Sequence, residues 1–232
     1  RNFSLRLKKY LLLLTCILIA LPFLVIKYLF PGIGWLSGLT DSASLNQVSS
    51  LTPGILLPAG ISFYTFQLLT SVLDAKGGEE SRITFSELLG FASFFPQLIA
   101  GPIVRTQDLL PQLRALTTKR RTNSEYVNDI SYGLKLIAFG LIAKTMISDI
   151  LNTFYKNVFI DEVKFLDSIF IILSKSIIIY ADFWGYSSIA IGLALLFGVK
   201  LPRNFLQPYC SRNIQEFWRR WHVTLSKWFA DY

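Results

Sequence analysis

Tyr10-Leu-Leu-Leu-Leu-Thr-Cys-Ile-Leu-Ile-Ala-Leu-Pro-Phe-Leu-Val-Ile-Lys-Tyr-Leu29 runs for twenty residues with a single charge, Lys27. A helix rises about 1.5 Å per residue, so roughly twenty residues cross a hydrocarbon layer of about 30 Å. Arg1, Arg6, Lys8 and Lys9 precede the run. No small-residue cleavage pattern follows it in Phe30-Pro31-Gly32-Ile33, so it reads as a retained span with its basic end in the cytoplasm.

The rest of the chain repeats the message. Of 232 residues, 52% are hydrophobic and only 16% charged, against about 25% charged in a soluble domain. Residues 31–50 hold no Lys or Arg and are rich in Gly and Ser, which makes them an outer loop. Leu51–Leu73 is apolar, with an irregular start expected from Pro53, Pro58 and Gly60. Leu88–Val104 is broken by Pro96, Gly101 and Pro102 and reads as re-entrant. The basic stretch Arg105–Arg121 reads as a cytoplasmic loop. Gly133–Ile150 is a further span, with Lys144 deep inside it. Phe165–Val199 is too long for one ordinary span and is divided near Ala181–Tyr186. Two full spans there would put the basic segment Lys200–Lys227 outside, so one half is expected to be re-entrant, and the parity stays open.

The expectation is an all-α fold: a multi-span transmembrane helical bundle of about four to six apolar segments, with re-entrant segments. It forms a single membrane-embedded domain over residues 1–232. The first residue is Arg, and Trp228–Tyr232 stop inside a helical pattern, so both ends read as cut. The net charge of +8 lies mainly between apolar segments, which points to topology and anionic membrane lipid, not nucleic acid. Cys16 and Cys210 are isolated and read as inert packing residues. With one histidine, His222, no metal site is expected.

Chemistry concentrates after Lys200. Trp218, Trp221 and Trp228 crowd around Arg219, Arg220 and His222. Asn213 followed by Glu216 reads as a helix start, and Glu216 can pair with Arg220 one turn on. On one continuous helix, Trp218, Trp221, His222, Leu225 and Phe229 would share a face. Two readings fit. One is an interfacial amphipathic helix, with aromatics at headgroup depth and basic residues toward phosphate. The other is a histidine facing a substrate cavity, where neutral imidazole takes a proton from a hydroxyl and Ser226 bonds the ring. Asp182, between two apolar halves, is either a functional carboxylate or a structural partner of Lys175 or Lys144.

The run Glu216-Phe217-Trp218-Arg219-Arg220-Trp221-His222-Val223-Thr224-Leu225-Ser226-Lys227-Trp228-Phe229 resembles a motif of the membrane-bound O-acyltransferase family, in its bacterial, alginate-acetylating branch. Four more stretches match in order: Phe94–Ile103 with Gln97, Gly60–Gln67, Asp182–Ser187 with Ala190-Ile191-Gly192, and Pro202-Arg203-Asn204-Phe205 with Pro208-Tyr209. Trp184 stands where the branch usually has Ser, and Ala230 where it usually has Arg.

The resemblance implies acyl transfer to a hydroxyl in the bacterial inner membrane. A second histidine in a Trp-His-Gly context, beyond Tyr232, would be the central base. His222 would assist it, and Trp218, Arg219, Arg220, Trp221, Ser226, Asp182 and Gln97 would line a substrate tunnel. No bound cofactor is implied. The donor would be acetyl-CoA or another acyl thioester, including an acyl-carrier protein. The acceptor would be an exported polysaccharide or cell-wall polymer, sometimes through an extracytoplasmic partner transferase. D-alanyl transfer to teichoic acid is the alternative within the family. A transporter or channel component competes on the broken segments and buried charges, but does not account for the Trp-Arg-Arg-Trp-His run. A structural membrane scaffold fits the composition and predicts no ordered polar motifs.

Overall fold

The computed structural model describes residues 5–29, 31–32, 35, 60–74, 83–98, 101–118, 121–158 and 165–232. All regular structure among them is helical. They fall into two compact units, residues 1–92 and 93–232. The irregular start expected near Pro53 and Pro58, and most of the Gly- and Ser-rich loop, lie outside the described residues.

In the first unit, α1 (Leu5–Leu24) passes through Pro22 and continues as a π-helical turn, Val25–Leu29. Lys9–Leu29 is long and apolar enough to cross a membrane. It packs on α2 (Ile61–Asp74), where the Lys27 ammonium donates to Ser62 Oγ at 3.2 Å. The buried residues of α2 are polar: Thr65, Gln67, Thr70 and Ser71. Gln67 is satisfied by donating its amide to the Phe91 carbonyl of α3 (Phe85–Ala92). Glu87 caps α3, its carboxylate accepting from the backbone and hydroxyl of Thr84 while its own N–H donates to Thr84 Oγ1.

The second unit is built on two long helices. α5 (Asn123–Leu141) starts at a capping box, in which Thr122 and Glu125 satisfy each other's backbone N–H groups. It widens into a π-helical stretch, Ile142–Asp149, and runs on as α6 (Ile150–Val158). Facing it is α7 (Phe165–Leu196), whose apolar stretch Asp167–Leu196 is also long enough to cross a membrane. Gly133 lies against Gly192, Gly140 against Gly185, Lys144 against Asp182, Ser148 against Ile178 and Asn152 against Lys175. As one number rises the other falls almost one for one, so the two run antiparallel along this whole length.

Glycines set the spacing. A methyl group added at Gly140 would lie 2.6 Å from the Gly185 carbonyl oxygen, and one at Gly192 would lie 2.6 Å from the Gly133 carbonyl oxygen. Many of the buried residues of the two helices are small: Ala143, Ser148, Ser174, Ala181, Ser187, Ser188, Ala190 and Ala194. Phe139, Met146, Ile150, Ile172, Leu173 and Ile179 are exposed. Small inside and large apolar outside is the pattern of helices that associate by close backbone packing in lipid, where large side chains gain nothing by leaving the apolar solvent.

The structure corrects two expectations. Phe165–Leu196 is one uninterrupted helix, not two halves divided near Ala181–Tyr186. Asp182 is accommodated inside that helix, where Lys144 meets it across the seam at 2.7 Å. Arg105–Arg121 is not simply a loop, because Thr106–Thr118 forms α4 and buries Leu109 and Leu110 beneath its charged face. Arg121 then donates to the Gly198 carbonyl just past α7, and the Gln112 side chain brackets the Lys200 backbone through its N–H (2.8 Å) and C=O (3.1 Å). Arg121, Gln112 and Lys200 therefore sit at the same end of the helix pair, whereas Tyr209 and Trp221 reach back to Ser176 and Tyr180 of α7.

The Pro- and Gly-broken segment appears as a short 3-10 turn, Phe95–Gln97, and residues 101–105 carry no regular structure. Phe95 packs edge-on against Phe197 at 5.6 Å. Gly101 is needed there, since a side chain would strike the Gln97 backbone. Cys16 is half-buried, whereas Cys210 is exposed and so does not pack as expected, because the 3-10 turn Pro208–Cys210 buries Pro208 in its place.

Candidate functional site

Asn213 caps α8 (Ile214–Arg220) by accepting from the Glu216 N–H at 2.8 Å, as its position three residues ahead of Glu216 predicts. Glu216 also pairs with Arg220 at 2.5 Å. The Arg212 backbone N–H, then Arg220, hold its carboxyl below the usual carboxylate range.

The helix then breaks, and the expected single face does not form. Trp221 is extended, and His222 takes left-handed backbone angles, φ 42° and ψ 54°. For a residue with a side chain this conformation costs about 1–2 kcal/mol. A new helix, α9 (Val223–Asp231), starts immediately after it. Loop 204–206 intercepts the bonds of a continuous helix. The Val223 N–H donates to the Asn204 carbonyl at 2.8 Å, and the Arg220 carbonyl accepts from the Leu206 N–H at 3.0 Å. Sequence periodicity cannot reveal such a break, because no Gly or Pro marks it.

The break turns His222 into an aromatic cluster. Its ring lies edge-on to Phe183 of α7 at 4.7 Å. Phe183 meets Phe205, Phe205 meets Trp221, and Trp221 is flanked by Tyr180 and Phe217. His222 Nε2 is buried and has no hydrogen-bond partner among the described residues. Burial holds the imidazole pKa down at about 4. The ring is therefore neutral at physiological pH, with a free nitrogen but low basicity. Tyr180 and Phe205 of the same cluster help line a cavity of about 730 Å³, which also meets Trp184, Ser187, Asn204, Lys200 and Arg203.

The remaining expected tunnel residues scatter. Trp221 is in the cluster. Trp218 and Arg219 lie on the exposed side of α8, and Arg220 is occupied by Glu216. Ser226 is exposed, and its backbone N–H donates to the His222 carbonyl at 3.1 Å. The expected bond from its hydroxyl to the ring does not form, because the left-handed turn swings the imidazole toward Phe183. Asp182 points across the seam to Lys144, which also binds Asp149, the pairing that the structural alternative named. Gln97 is buried, and both atoms of its amide lack partners among the described residues. Sequence reasoning gave Tyr180 no role, and it included Phe183 and Asn204 only as members of motifs. No group of three or more residues able to hold a metal occurs among the described residues.

The depressed pKa has a measurable consequence. An unfolded histidine titrates near about 6.5, so between about pH 6.5 and 4 the unfolded chain binds more protons than the folded one. This contribution to stability is complete above pH 6.5 and is lost as the pH falls toward 4. Melting of the detergent-solubilised protein should drop by a few degrees more in wild type than in His222→Gln between pH 7 and 4.5, since about 1 kcal/mol moves the midpoint of a mid-sized domain by about 2–4 °C. Parallel pH profiles for the two proteins would show that the imidazole is not buried as described.

The sequence pattern of the membrane-bound O-acyltransferase family matches residues 6–232. Probable alginate O-acetylase AlgI of Pseudomonas aeruginosa is 38% identical over 77% of this chain and 33% of its own length. Peptidoglycan O-acetyltransferase of Helicobacter pylori is 35% identical, covering 77% of this chain and 38% of that protein. Teichoic acid D-alanyltransferase of Bacillus subtilis is 34% identical, covering 75% and 44%. The chain thus spans between a third and a half of the length of these relatives.

Proposed function

The chain belongs to the membrane-bound O-acyltransferase family, and from that premise we propose that the protein moves an acyl group, acetyl in the first instance, from a cytoplasmic thioester to a hydroxyl of an exported polysaccharide or cell-wall polymer. The observation that carries the reading is His222. In the family's most specific motif, a strained turn holds a neutral imidazole against Phe183 with its Nε2 buried and without a partner among the described residues. Native proteins rarely leave such an atom without a use.

Low basicity favours a role other than general base for that nitrogen. A general base works best with a pKa near the working pH, and about 4 is far below it. His222 is suited to accepting a hydrogen bond or positioning the acyl group. The proton abstraction then falls to the second histidine implied by the family resemblance. The donor is acetyl-CoA or an acyl-carrier protein, with no bound cofactor and with an extracytoplasmic partner transferase as a further component. Acetyl is favoured over D-alanyl because the names of two of the three relatives above specify acetyl chemistry.

The setting is a multi-span bundle in the bacterial inner membrane. Two helices here are long and apolar enough to cross it. With α7 as one helix, Arg121 and Lys200 share an end, and that end falls on the cytoplasmic side by the positive-inside rule. A transporter reading loses support, because the deep charges Lys144 and Asp182 are paired with each other across the seam.

The test uses the full-length protein in a host stripped of its own O-acylation genes. Membranes are given isotope-labelled acetyl thioester and the candidate polymers, and ester-linked label is read by mass spectrometry. Label in an alkali-labile ester is the expected result. Absence of label with acetyl and D-alanyl thioesters alike, across polysaccharide, peptidoglycan and teichoic acid, overturns the proposal.

A further inference from the structure

Asn204 is 1% exposed and is bonded at both ends of its amide. Its Nδ2 donates to Ser187 Oγ of α7 at 2.8 Å. Its Oδ1 accepts from the Thr224 hydroxyl of α9 at 2.5 Å. Thr224 Oγ1 in turn accepts from the Ile103 N–H at 3.2 Å. The Asn204 backbone carbonyl takes the Val223 N–H, the bond that closes the turn at His222. Asn204 therefore ties its own loop to α7 and to α9, and through Thr224 to Ile103, beside the turn that carries the imidazole.

The consequence follows from what the chain would otherwise do. The run from Asn213 to Tyr232 carries helix-forming periodicity without a break signal. In an unbroken helix the Val223 N–H would bond the Arg219 carbonyl, and the left-handed strain at His222 would be relieved. Each residue of such a helix turns about 100°, so closing the break would rotate the imidazole away from Phe183. Something must hold loop 204–206 where it can take those backbone bonds. The Asn204 side chain, anchored on one side to Ser187 and on the other to Thr224, does so with both ends of its amide satisfied.

We propose that Asn204 is the positioning residue for His222, acting with Ser187 and Thr224 to keep the turn broken and the free Nε2 aimed. This rests on the reading of His222 as a participant in acyl transfer. Asn204 itself need touch neither donor nor acceptor.

The experiment is a double-mutant cycle in the full-length protein, with kcat and KM for the acyl donor measured at matched protein levels. Asn204→Ala in the wild-type background should lower kcat about tenfold and leave KM within about twofold. In the His222→Ala background it should lower kcat by less than about twofold, because there is no imidazole left to aim. An equal tenfold loss in both backgrounds makes Asn204 a general structural residue and overturns the proposal, as does a change in KM alone. Should Asn204→Ala fail to accumulate, Ser187→Ala and Thr224→Val, each of which removes one bond to Asn204, carry the same cycle, and the same results uphold or overturn the proposal. If His222→Ala alone keeps wild-type turnover, the reading of His222 itself falls. If His222→Ala is impaired but no coupling is found, only the role of Asn204 falls.

Discussion

His222→Ala in the full-length protein is expected to lower acyl transfer by about 10²-fold, with membrane insertion and abundance near normal. Positioned proton-handling groups are typically worth about 10²–10⁴-fold, and a weakly basic, assisting imidazole belongs at the lower end. Abundance should hold because the ring makes no hydrogen bond through Nε2 among the described residues and its Phe183 contact is one of many in the cluster. His222→Gln separates two versions of the role. Glutamine keeps a hydrogen-bonding side chain but cannot accept a proton near neutral pH. Recovery with Gln assigns hydrogen bonding or positioning, and continued loss assigns proton transfer. Wild-type turnover in both variants returns the motif to a membrane-surface anchor.

The second large effect lies in the seam. Gly140→Leu or Gly185→Leu should reduce folded protein to a small fraction of wild type, read by size-exclusion of the detergent-solubilised protein. The atoms in the way are backbone: the Gly185 carbonyl at 2.6 Å from a Cβ at Gly140, and the Gly140 carbonyl at 2.8 Å from a Cβ at Gly185. They can yield only if the helices part. Overpacking a core typically costs about 1–3 kcal/mol, and parting these helices would also lengthen the Lys144–Asp182 contact next to them. Gly90 is the control. It lies in α3 with open space around it, so Gly90→Ala should stabilise by roughly 0.5–1 kcal/mol through helix propensity. A Gly140→Leu protein that elutes and melts like wild type would show that the seam is not closely packed.

Some of this was legible in the residues. Asn213 and Glu216 announce the start of α8, Glu216 and Arg220 their own pairing, and the composition a helical membrane protein. Lys144 stood among the possible partners of Asp182, though periodicity could not choose it over Lys175, since the choice depends on the register of two helices distant in sequence. That register rests on Gly133, Gly140, Gly185 and Gly192, seven apart within each helix, a spacing that can be seen in the chain once its meaning is known. The break at His222 was not legible. Its cause lies eighteen residues upstream, in a buried asparagine whose carbonyl competes successfully for a helical N–H. Local propensity and amphipathic pattern both favoured continuity, and a tertiary hydrogen bond outweighed them. The helix within 106–118 was hidden for a different reason: a basic, proline-containing stretch reads as a loop until Leu109 and Leu110 are seen to be covered.

The length of α7 carries one more consequence. Thirty-two residues make a rod of about 48 Å, against a hydrocarbon layer of about 30 Å. Even at the steep end of observed tilts, about 40°, it still rises about 37 Å. Set across a bilayer, such a rod carries a hydrophobic mismatch, and the surplus would come out as tilt, local thickening of the bilayer or protrusion beyond it. Because α5 is locked to α7 in register through the glycine seam, the two must accommodate the surplus together. The thickness of the surrounding lipid therefore bears on the depth at which Lys200, Arg203 and the cavity beside them meet the water boundary.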